Sequence, residues 1–508
     1  GDDVIQGGDG LDTMDGGSGF DTVTYSYSTD DWHIDLAAAG IQRLAKRRDP
    51  LMAILRVEPA SGGGGGRVTG PLVVLDAVLE MRVLRVDRVP RERGRRVEPR
   101  DSIPRCQRLG KAADVNVPKN AKVYDLQGKT IMPGMVDAHA HIGAFRYGLT
   151  PQQHWPFFAN LAYGVTTAHD PSALSETVFG MAELIKSGEM VGPRLYSTGI
   201  ILYGAEGDFK AEINSLDDAR SALRRTKAFG ATSVKSYNQP RREQRQQVMQ
   251  AARELGMNVV PEGGSTFFHN MNMIVDGHTG IEHNIPVAPV YKDVKTLWSN
   301  SNTGYTPTLI VNYGGINGEY YFYDKTNVWE NEKLLNFTPR SIVDSRSRHR
   351  TTIPEEEYEE GPILVSKTAK ALSDEGVKVN LGAHGQLQGL GAHWELWLIQ
   401  MGGMSNMEAL KTATINSAEY IGLGEEIGSL EEGKLADLIV MEENPLEDIR
   451  NTNTIKYVMV NGRLYDADTM NEIGNHPEER KDFYWETNNY SPNFGWHEDA
   501  AGHGCMAH

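Results

Sequence analysis

Two histidines two residues apart, His139 and His141, close the stretch Pro133-Gly134-Met135-Val136-Asp137-Ala138-His139-Ala140-His141, at the end of a short apolar run. On a β-strand, side chains at i and i+2 leave the same face, so both imidazoles are expected to point one way from a rigid strand end. Such a pair is half of a Zn²⁺ site; taken alone it also reads as two surface histidines after a turn. Lys235, in Ser233-Val234-Lys235-Ser236-Tyr237, falls at the end of another strand-like run. A lysine there is costly to leave charged and unpaired, which makes its amine available to CO₂; otherwise it is salt-bridged or snorkels. Tyr237, two residues on, faces the same way, either towards substrate or into packing. Ile281-Glu282-His283 ends in a further candidate ligand, His283, whose other reading is a core histidine bonded to a carbonyl.

Elements that could hold these residues follow one another from Leu109 onward. Val123–Leu126 and Lys129–Ile131 read as strands about Gln127-Gly128. Strand-like runs then alternate with helix-like ones: Gly164–His169 with Met181–Lys186, Arg194–Ile201 with Asp217–Phe229, Ser233–Tyr237 with Glu243–Leu255, and Asn258–Pro261 with Asn270–Val275. Ile281–His283 precedes Val294–Asn300, Tyr305–Val311 precedes a long excursion, and Val377–Leu381 precedes His393–Met401. Eight strand–helix units imply an α/β fold of the (β/α)₈ TIM-barrel type. Chemistry in that fold sits at the C-terminal strand ends, where the unusual polar residues fall. Ala436–Met441, Lys456–Val460 and Arg463-Leu464, the last two joined by Asn461-Gly462, read as short strands with a hairpin.

His139, His141, Lys235, Ile281-Glu282-His283 and the closing Gly428-Ser429-Leu430-Glu431-Glu432-Gly433-Lys434-Leu435-Ala436-Asp437-Leu438-Ile439-Val440 together resemble the amidohydrolase superfamily, in its prolidase-like and imidazolonepropionase-like branch. The resemblance covers about residues 109–470. It implies a metal-dependent hydrolase cleaving a C–N bond in an amide, dipeptide or cyclic amide. One or two divalent ions, zinc first, would activate the water, and the fourth-strand lysine is often carbamylated and bridges them. It also implies a small β-sandwich of strands from both sides of the barrel. Two positions depart from the pattern. Glu262, in Val259-Val260-Pro261-Glu262-Gly263-Gly264, stands where the family has a fifth-strand His; His384, in Leu381-Gly382-Ala383-His384-Gly385, stands where it has the eighth-strand Asp base. A carboxylate replaces an imidazole and an imidazole a carboxylate, so ligand count and charge are kept. The implied ligands are His139, His141, Lys235, Glu262, His283 and His384, with His384 and Lys235 as catalytic groups and Tyr237 against the substrate.

The expected divisions are residues 1–40, 41–108, 109–132 with 424–470 (the sandwich), 133–423 (the barrel) and a tail, 471–508. Gly7–Asp15 and Gly16–Thr24 are in-register nine-residue glycine/aspartate copies that resemble the RTX calcium-binding β-roll, with Asp9, Asp12 and Asp21 as Ca²⁺ ligands; a flexible Gly/Asp loop is the other reading. Residues 41–108 are Arg-rich, interrupted by Gly62–Gly66, and show no strand pattern: a basic linker or an out-of-frame stretch. The sandwich is therefore expected to be incomplete. With 508 residues and a net charge of −17, the chain can bury a large core and is ill suited to a nucleic-acid surface. No apolar run reaches the roughly 20 residues of a membrane span. Two cysteines, Cys106 and Cys505, exclude a disulfide framework. The opening Gly1-Asp2-Asp3 reads as that of a fragment or processed piece. The aromatic excursion Trp298–Glu360 reads as a lid or as a contact in a homo-oligomer; His393 and Glu395 read as groups supporting the site. The expected partner is a small molecule or dipeptide. Calcium repeats favour an extracytoplasmic address, periplasmic or secreted, and carry a competing reading: a non-catalytic calcium-dependent binding protein on a degenerate barrel.

Overall fold

The computed structural model describes residues 104–487 except 112–120, 144–150, 152, 207–209, 240, 265 and 348–351, plus the backbones of five short strands before them. Asp9, Asp12 and Asp21, with the tail beyond Thr487, lie outside the described residues. The chain divides into two units, Gly1–Leu51 and Met52–His508. In the first, Val4–Gly7 pairs in parallel with Thr22–Tyr25, Val4 opposite Thr22.

The second unit alternates parallel strands with helices. Met135–Asp137, Val165–Asp170 and Arg194–Ser197 form one arc. Ile201–Tyr203, flanked by Lys210–Glu212, pairs with Ser233–Ser236, which pairs with Asn258–Pro261 in a second arc; Gly280–Glu282 and Gly304–Thr306 form a third. A single bridge, Glu262 to Glu282, joins the second and third arcs, and another, Tyr305 to Val379, adds the last expected strand as one residue only. Ala138 N donates to Leu381 O at 3.0 Å, tying the last segment to the first. The parallel strands thus form three short arcs, and a few backbone bonds link the second arc to the third, the third to the 377–381 segment, and that segment to the first arc. The expected strand Tyr305–Val311 stops at Thr306, and Leu309–Val311 is a 3₁₀ turn.

Helices lie between successive strands: Trp155–Ala162, Ser175–Lys186, Leu216–Ala228, Arg242–Leu255, Phe267–Asp276, Lys292–Ser299, Pro362–Asp374 and Leu390–Met401. Leu216–Ala228 shows why they form where they do. The Ser215 hydroxyl accepts from Asp218 N at its start, acids fill its first turn, and Arg225 and Lys227 its last. The strands carry buried side chains on both faces, as in Val165–Asp170, which is why they read as continuous apolar runs.

Two sheets flank this unit. One has the order Arg463–Asp466, Ile455–Val460, Leu438–Met441, Thr130–Pro133, Leu55–Arg56; the other has Arg105–Lys111, Ala77–Arg82, Leu72–Leu75, Lys122–Asp125. The segment read as strandless, residues 41–108, supplies strands to both. Cys106 and Leu126 share an apolar cluster with Ile131, Leu438, Val440 and Met459. Asn461 and Gly462, at φ 52° and 71°, form the two-residue hairpin loop. The tail is packed as far as it is described: Phe483 is buried in the main core and stacks on Trp485. No helix among the described residues is long and apolar enough to cross a membrane.

Candidate metal centre

The Met135–Asp137 strand delivers His139 and His141, and the Val379–Leu381 segment delivers His384. Their placement is a backbone matter. Asp137 Oδ1 accepts from His139 N at 3.0 Å and from Ala383 N at 3.1 Å, and His384 N donates to His139 O at 2.7 Å. One buried carboxylate therefore brackets both strand ends; burial pushes it up to about 7. His141, His283 and His384 have φ of 35°, 68° and 57°. Left-handed backbone at non-glycine residues is costly and persists where surroundings over-determine it. Here it turns each imidazole inward.

One nitrogen of each of His139, His141 and His384 lies within 4.8 Å of the others. His139 Nε2 and His141 Nε2 are 3.1 Å apart, near the roughly 3.3 Å edge of a tetrahedron with Zn–N bonds of about 2.0–2.1 Å. Behind each ring stands an oxygen. His139 Nδ1 bonds Glu282 Oε2, His141 Nδ1 lies 3.4 Å from Asp170 Oδ1, and His384 Nδ1 lies 3.3 Å from the Gln386 side-chain oxygen Oε1. An acceptor at Nδ1 fixes the tautomer that leaves the Nε2 lone pair free, the arrangement by which proteins prepare histidines for a cation. Burial and the neighbouring histidines push His384 down to about 2. Burial, Lys235 and the same neighbours hold His139 well below the usual range. One nitrogen of each ring approaches the same space, and His139 and His384 are held low, so this residue set fits a divalent ion that takes nitrogen ligands.

The other expected ligands are placed differently. Lys235, fully buried, puts Nζ 2.5 Å from Glu262 Oε2. Glu262 Oε1 accepts from the Tyr313 hydroxyl at 2.8 Å and lies 3.2 Å from His283 Nε2. Lys235 and His283 hold the Glu262 carboxyl well below its usual range against the effect of burial. The His283 ring is stacked on Tyr313 at 4.1 Å, and its centre is 4.9 Å from those of His139 and His384. His283 Nδ1 meets the Thr308 hydroxyl at 2.7 Å. Tyr237 lies beside Lys235, with Nζ 6.0 Å from its ring centre. Together with Asn238, Glu262, His269 and Tyr313 it lines a cleft of about 600 Å³.

Several supporting groups were not marked by spacing. Glu282 precedes His283 on one strand and by alternation should face away from it. The left-handed turn at His283 lets both reach His139. Burial raises the Glu282 carboxyl to about 8, and it also accepts from the Tyr420 hydroxyl. Tyr313 was legible only as part of an aromatic run. Glu395 accepts from Leu309 N at 2.9 Å and Ile310 N at 2.8 Å, holding the turn after Thr308. His393 instead bonds Thr452 and the Tyr163 carbonyl, away from the histidine cluster.

The amidohydrolase family profile matches residues 130–465, about two thirds of the sequence. The chain belongs to the amidohydrolase family. Among curated relatives, ochratoxinase of Aspergillus niger is 25% identical over 368 residues, covering 66% of this chain and 75% of its own. The 5'-deoxyadenosine deaminase of Methanobrevibacter smithii is 22% identical over 400 residues, covering 70% and 82%. Among solved structures, a Xaa-Pro dipeptidase with methionine in its active site superposes with a TM-score of 0.53 at 22% identity, over 72% of this chain and 94% of that one. That likeness is one of fold. The membership makes this an amidohydrolase-type hydrolase.

Proposed function

We propose that the chain hydrolyses a C–N bond of an amide, dipeptide or cyclic amide, on a (β/α)₈ barrel flanked by a β-sandwich. What carries the reading is the convergence of His139, His141 and His384, each with an acceptor behind Nδ1. These three residues would hold a divalent ion, zinc being suited to three nitrogen donors. When bound, the ion supplies a Lewis acid and a water acidified towards about pKa 7. The chain supplies the rest. With His384 holding the ion, the proton acceptor would be Glu262, a carboxylate that lines the cleft and whose charge Lys235 secures. The Tyr313 hydroxyl donates to Glu262 Oε1 beside His283 and so holds that carboxylate in place. Tyr237 lines the substrate's side of the cleft. The fold of the Xaa-Pro dipeptidase favours dipeptides as the first substrates to try.

The test is metal analysis of the purified chain with turnover of a panel of Xaa-Pro dipeptides, N-acyl amino acids and cyclic amides. Bound transition metal and loss of turnover in His139→Ala are expected. A metal content under about a tenth of an equivalent, with His139→Ala unchanged, defeats the reading.

A second reading, calcium-dependent binding outside the cytoplasm by the N-terminal repeats, has one observation in its favour. Val4 pairs with Thr22 in parallel, an offset of 18 residues, which is twice the nine-residue period expected of a β-roll. Hydrolysis that stays abolished after EDTA with Ca²⁺ restored assigns turnover to the barrel ion; no turnover of any amide, ester or lactone under any metal favours the repeats.

A further inference from the structure

The three histidines of the centre are backed unequally. His139 Nδ1 and His141 Nδ1 face the carboxylates of Glu282 and Asp170, whereas His384 Nδ1 faces an amide, the Gln386 oxygen Oε1 at 3.3 Å. An amide does not by itself choose a histidine tautomer, because its acceptor oxygen and donor nitrogen exchange places by a half-turn. Turned the other way, Gln386 would donate to Nδ1 and leave the ring proton on Nε2, where it blocks a cation. What fixes the amide is the next contact outward. Gln386 Nε2 donates to Glu319 Oε1 at 3.0 Å. A carboxylate has acceptors only, so the amide nitrogen must face Glu319 and its oxygen must face His384. The Glu319 side chain is 7% exposed, and a guanidinium nitrogen of Arg346 lies 3.7 Å from its Oε2. Glu319 opens the short helix Glu319–Lys325 in the long aromatic excursion, and backbone contacts set its place. Gly318 N donates to Leu309 O at 3.0 Å, and a Cβ on Gly318 would stand 2.6 Å from that oxygen. Leu309 is in turn held by Glu395, which accepts from its N–H.

We propose that Glu319 is a positioning residue of the metal centre: through Gln386 it sets the His384 tautomer that a cation requires, with the proton on Nδ1 and the lone pair on Nε2. Each of the three histidines is then answered by one carboxylate, two of them directly and the third through an amide. No proton is gained or lost; the ring proton changes nitrogen as the amide turns. The proposal rests on the reading above that His384 holds an ion with His139 and His141, but the tautomer itself is a property of the metal-free chain. The same hydrogen bonds name the change that would undo it. In Glu319→Gln the new amide can donate to the Gln386 oxygen, which frees the Gln386 nitrogen to turn towards His384. Exchanging the pair, Glu319→Gln with Gln386→Glu, keeps the net charge and puts an acceptor-only group directly behind His384.

The experiment takes two readings on the full chain labelled with ¹⁵N-histidine. One is the His384 tautomer in the metal-free protein, by NMR of the imidazole nitrogens, with the His384 signals identified by their loss in His384→Asn. The other is affinity for Zn²⁺ in competition with a chromophoric chelator. The wild type is expected to carry the His384 proton on Nδ1 and to bind Zn²⁺. Glu319→Gln should move the ring towards the Nε2–H form and weaken Zn²⁺ binding about 10-fold, as loss of a group supporting a ligand does. The double exchange should restore both readings, which a merely structural role for Glu319 would not allow. A wild-type ring with its proton on Nε2, or a Glu319→Gln variant with tautomer and affinity unchanged, overturns the proposal while Zn²⁺ binding by the wild type keeps the metal reading. A double exchange as weak as Glu319→Gln also overturns it. A wild type that takes no Zn²⁺ overturns the metal reading, whereas a shift of tautomer in Glu319→Gln still supports the control of His384 by Glu319. Should Glu319→Gln not fold, Glu319→Asp, which draws the carboxylate back from Gln386, is read in the same two ways.

Discussion

Single residues at this centre differ in how visible they are in the sequence, and the difference has a physical origin. His139 and His141 are legible because strand alternation alone aligns them, and His384 because it stands at a strand end where an acid was expected. Glu282 and Asp170 are not, because what matters about them is a through-space contact with a ring nitrogen on another strand. That contact makes a prediction. Removing an acceptor behind a ligating histidine typically lowers metal affinity about 10–100-fold. Glu282→Gln should therefore weaken metal binding by about that factor, because a cation on His139 would favour the Glu282 carboxylate, which holds Nδ1–H more firmly than an amide does. Asp170→Asn should have a smaller effect, since His141 lies further from its partner, at 3.4 Å, and its side chain is 27% exposed. Competition with a chromophoric chelator reads both; equal affinities in wild type and Glu282→Gln would remove the carboxylate from the site's design. Glu262 illustrates the converse. Its replacement of a histidine was legible, but that it would serve Lys235 and Tyr313 was not, because Tyr313 arrives from the long excursion.

Helices with clear caps and apolar periodicity, such as Leu216–Ala228 and Arg242–Leu255, fall within a residue or two of where the pattern puts them. The last two strands do not, because their ends leave the β region. Thr308 at φ 46° turns the chain into a 3₁₀ segment whose amides need the buried Glu395. The element that carries His384 depends in the same way on close backbone approach. Gly385 has φ 66°, and a Cβ there would stand 2.3 Å from the His141 carbonyl oxygen and 2.8 Å from that of Ala140. Backbone cannot rotate aside as a side chain can. Gly385→Ala should therefore destabilise the fold by about 3 kcal/mol or more, from left-handed strain of roughly 1–2 kcal/mol together with the clash. Metal affinity should fall with it, because His141 must move. Gly376, at φ 89° with nothing within 4 Å of its Cβ position, is the control: Gly376→Ala should cost only the strain, about 1–2 kcal/mol, with metal binding unchanged. Chemical unfolding and chelator competition on both variants check this, and equal losses of stability would show that the close approach at Gly385 is easily relaxed.

At the scale of the whole molecule, the arginine-rich segment was misread because composition does not register strand pairing: Leu55–Arg56, Leu72–Leu75 and Ala77–Arg82 enter the two flanking sheets through backbone bonds. Composition is equally silent about how many ionisable groups the interior holds in neutral form. His154, His169, His278 and His393 are buried and pushed down to about 4, and the half-buried His269 likewise; the three ring systems of His139, His283 and His384 are lowered as well. Each takes a proton at about 6.5 when unfolded but much lower in the fold, so below 6.5 the unfolded chain binds more protons and stability falls as pH falls. Asp137, raised to about 7, and Glu282 and Glu395, raised to about 8, act in the opposite sense. They keep protons in the fold that the unfolded chain has lost, so their contribution declines as pH rises through 7 and 8. Between about 6.5 and 4.5 the histidines outnumber the carboxyls by more than two to one, and they decide the sign. Below 4.5 the carboxyls cease to compensate, while Glu254 and Glu262, held low by Arg220 and by Lys235, begin to lose their ion pairs. Stability of the metal-free chain should therefore peak near neutral pH and fall on both sides, more steeply towards acid. Urea midpoints at intervals from pH 8.5 to 4.5, in EDTA, measure this directly. A midpoint that holds or rises from pH 6.5 to 4.5 would mean that the interior histidines already carry protons in the fold. Added zinc should raise the midpoint at pH 7 and still raise it towards pH 5, because His139 and His384 stay unprotonated in the fold across that range.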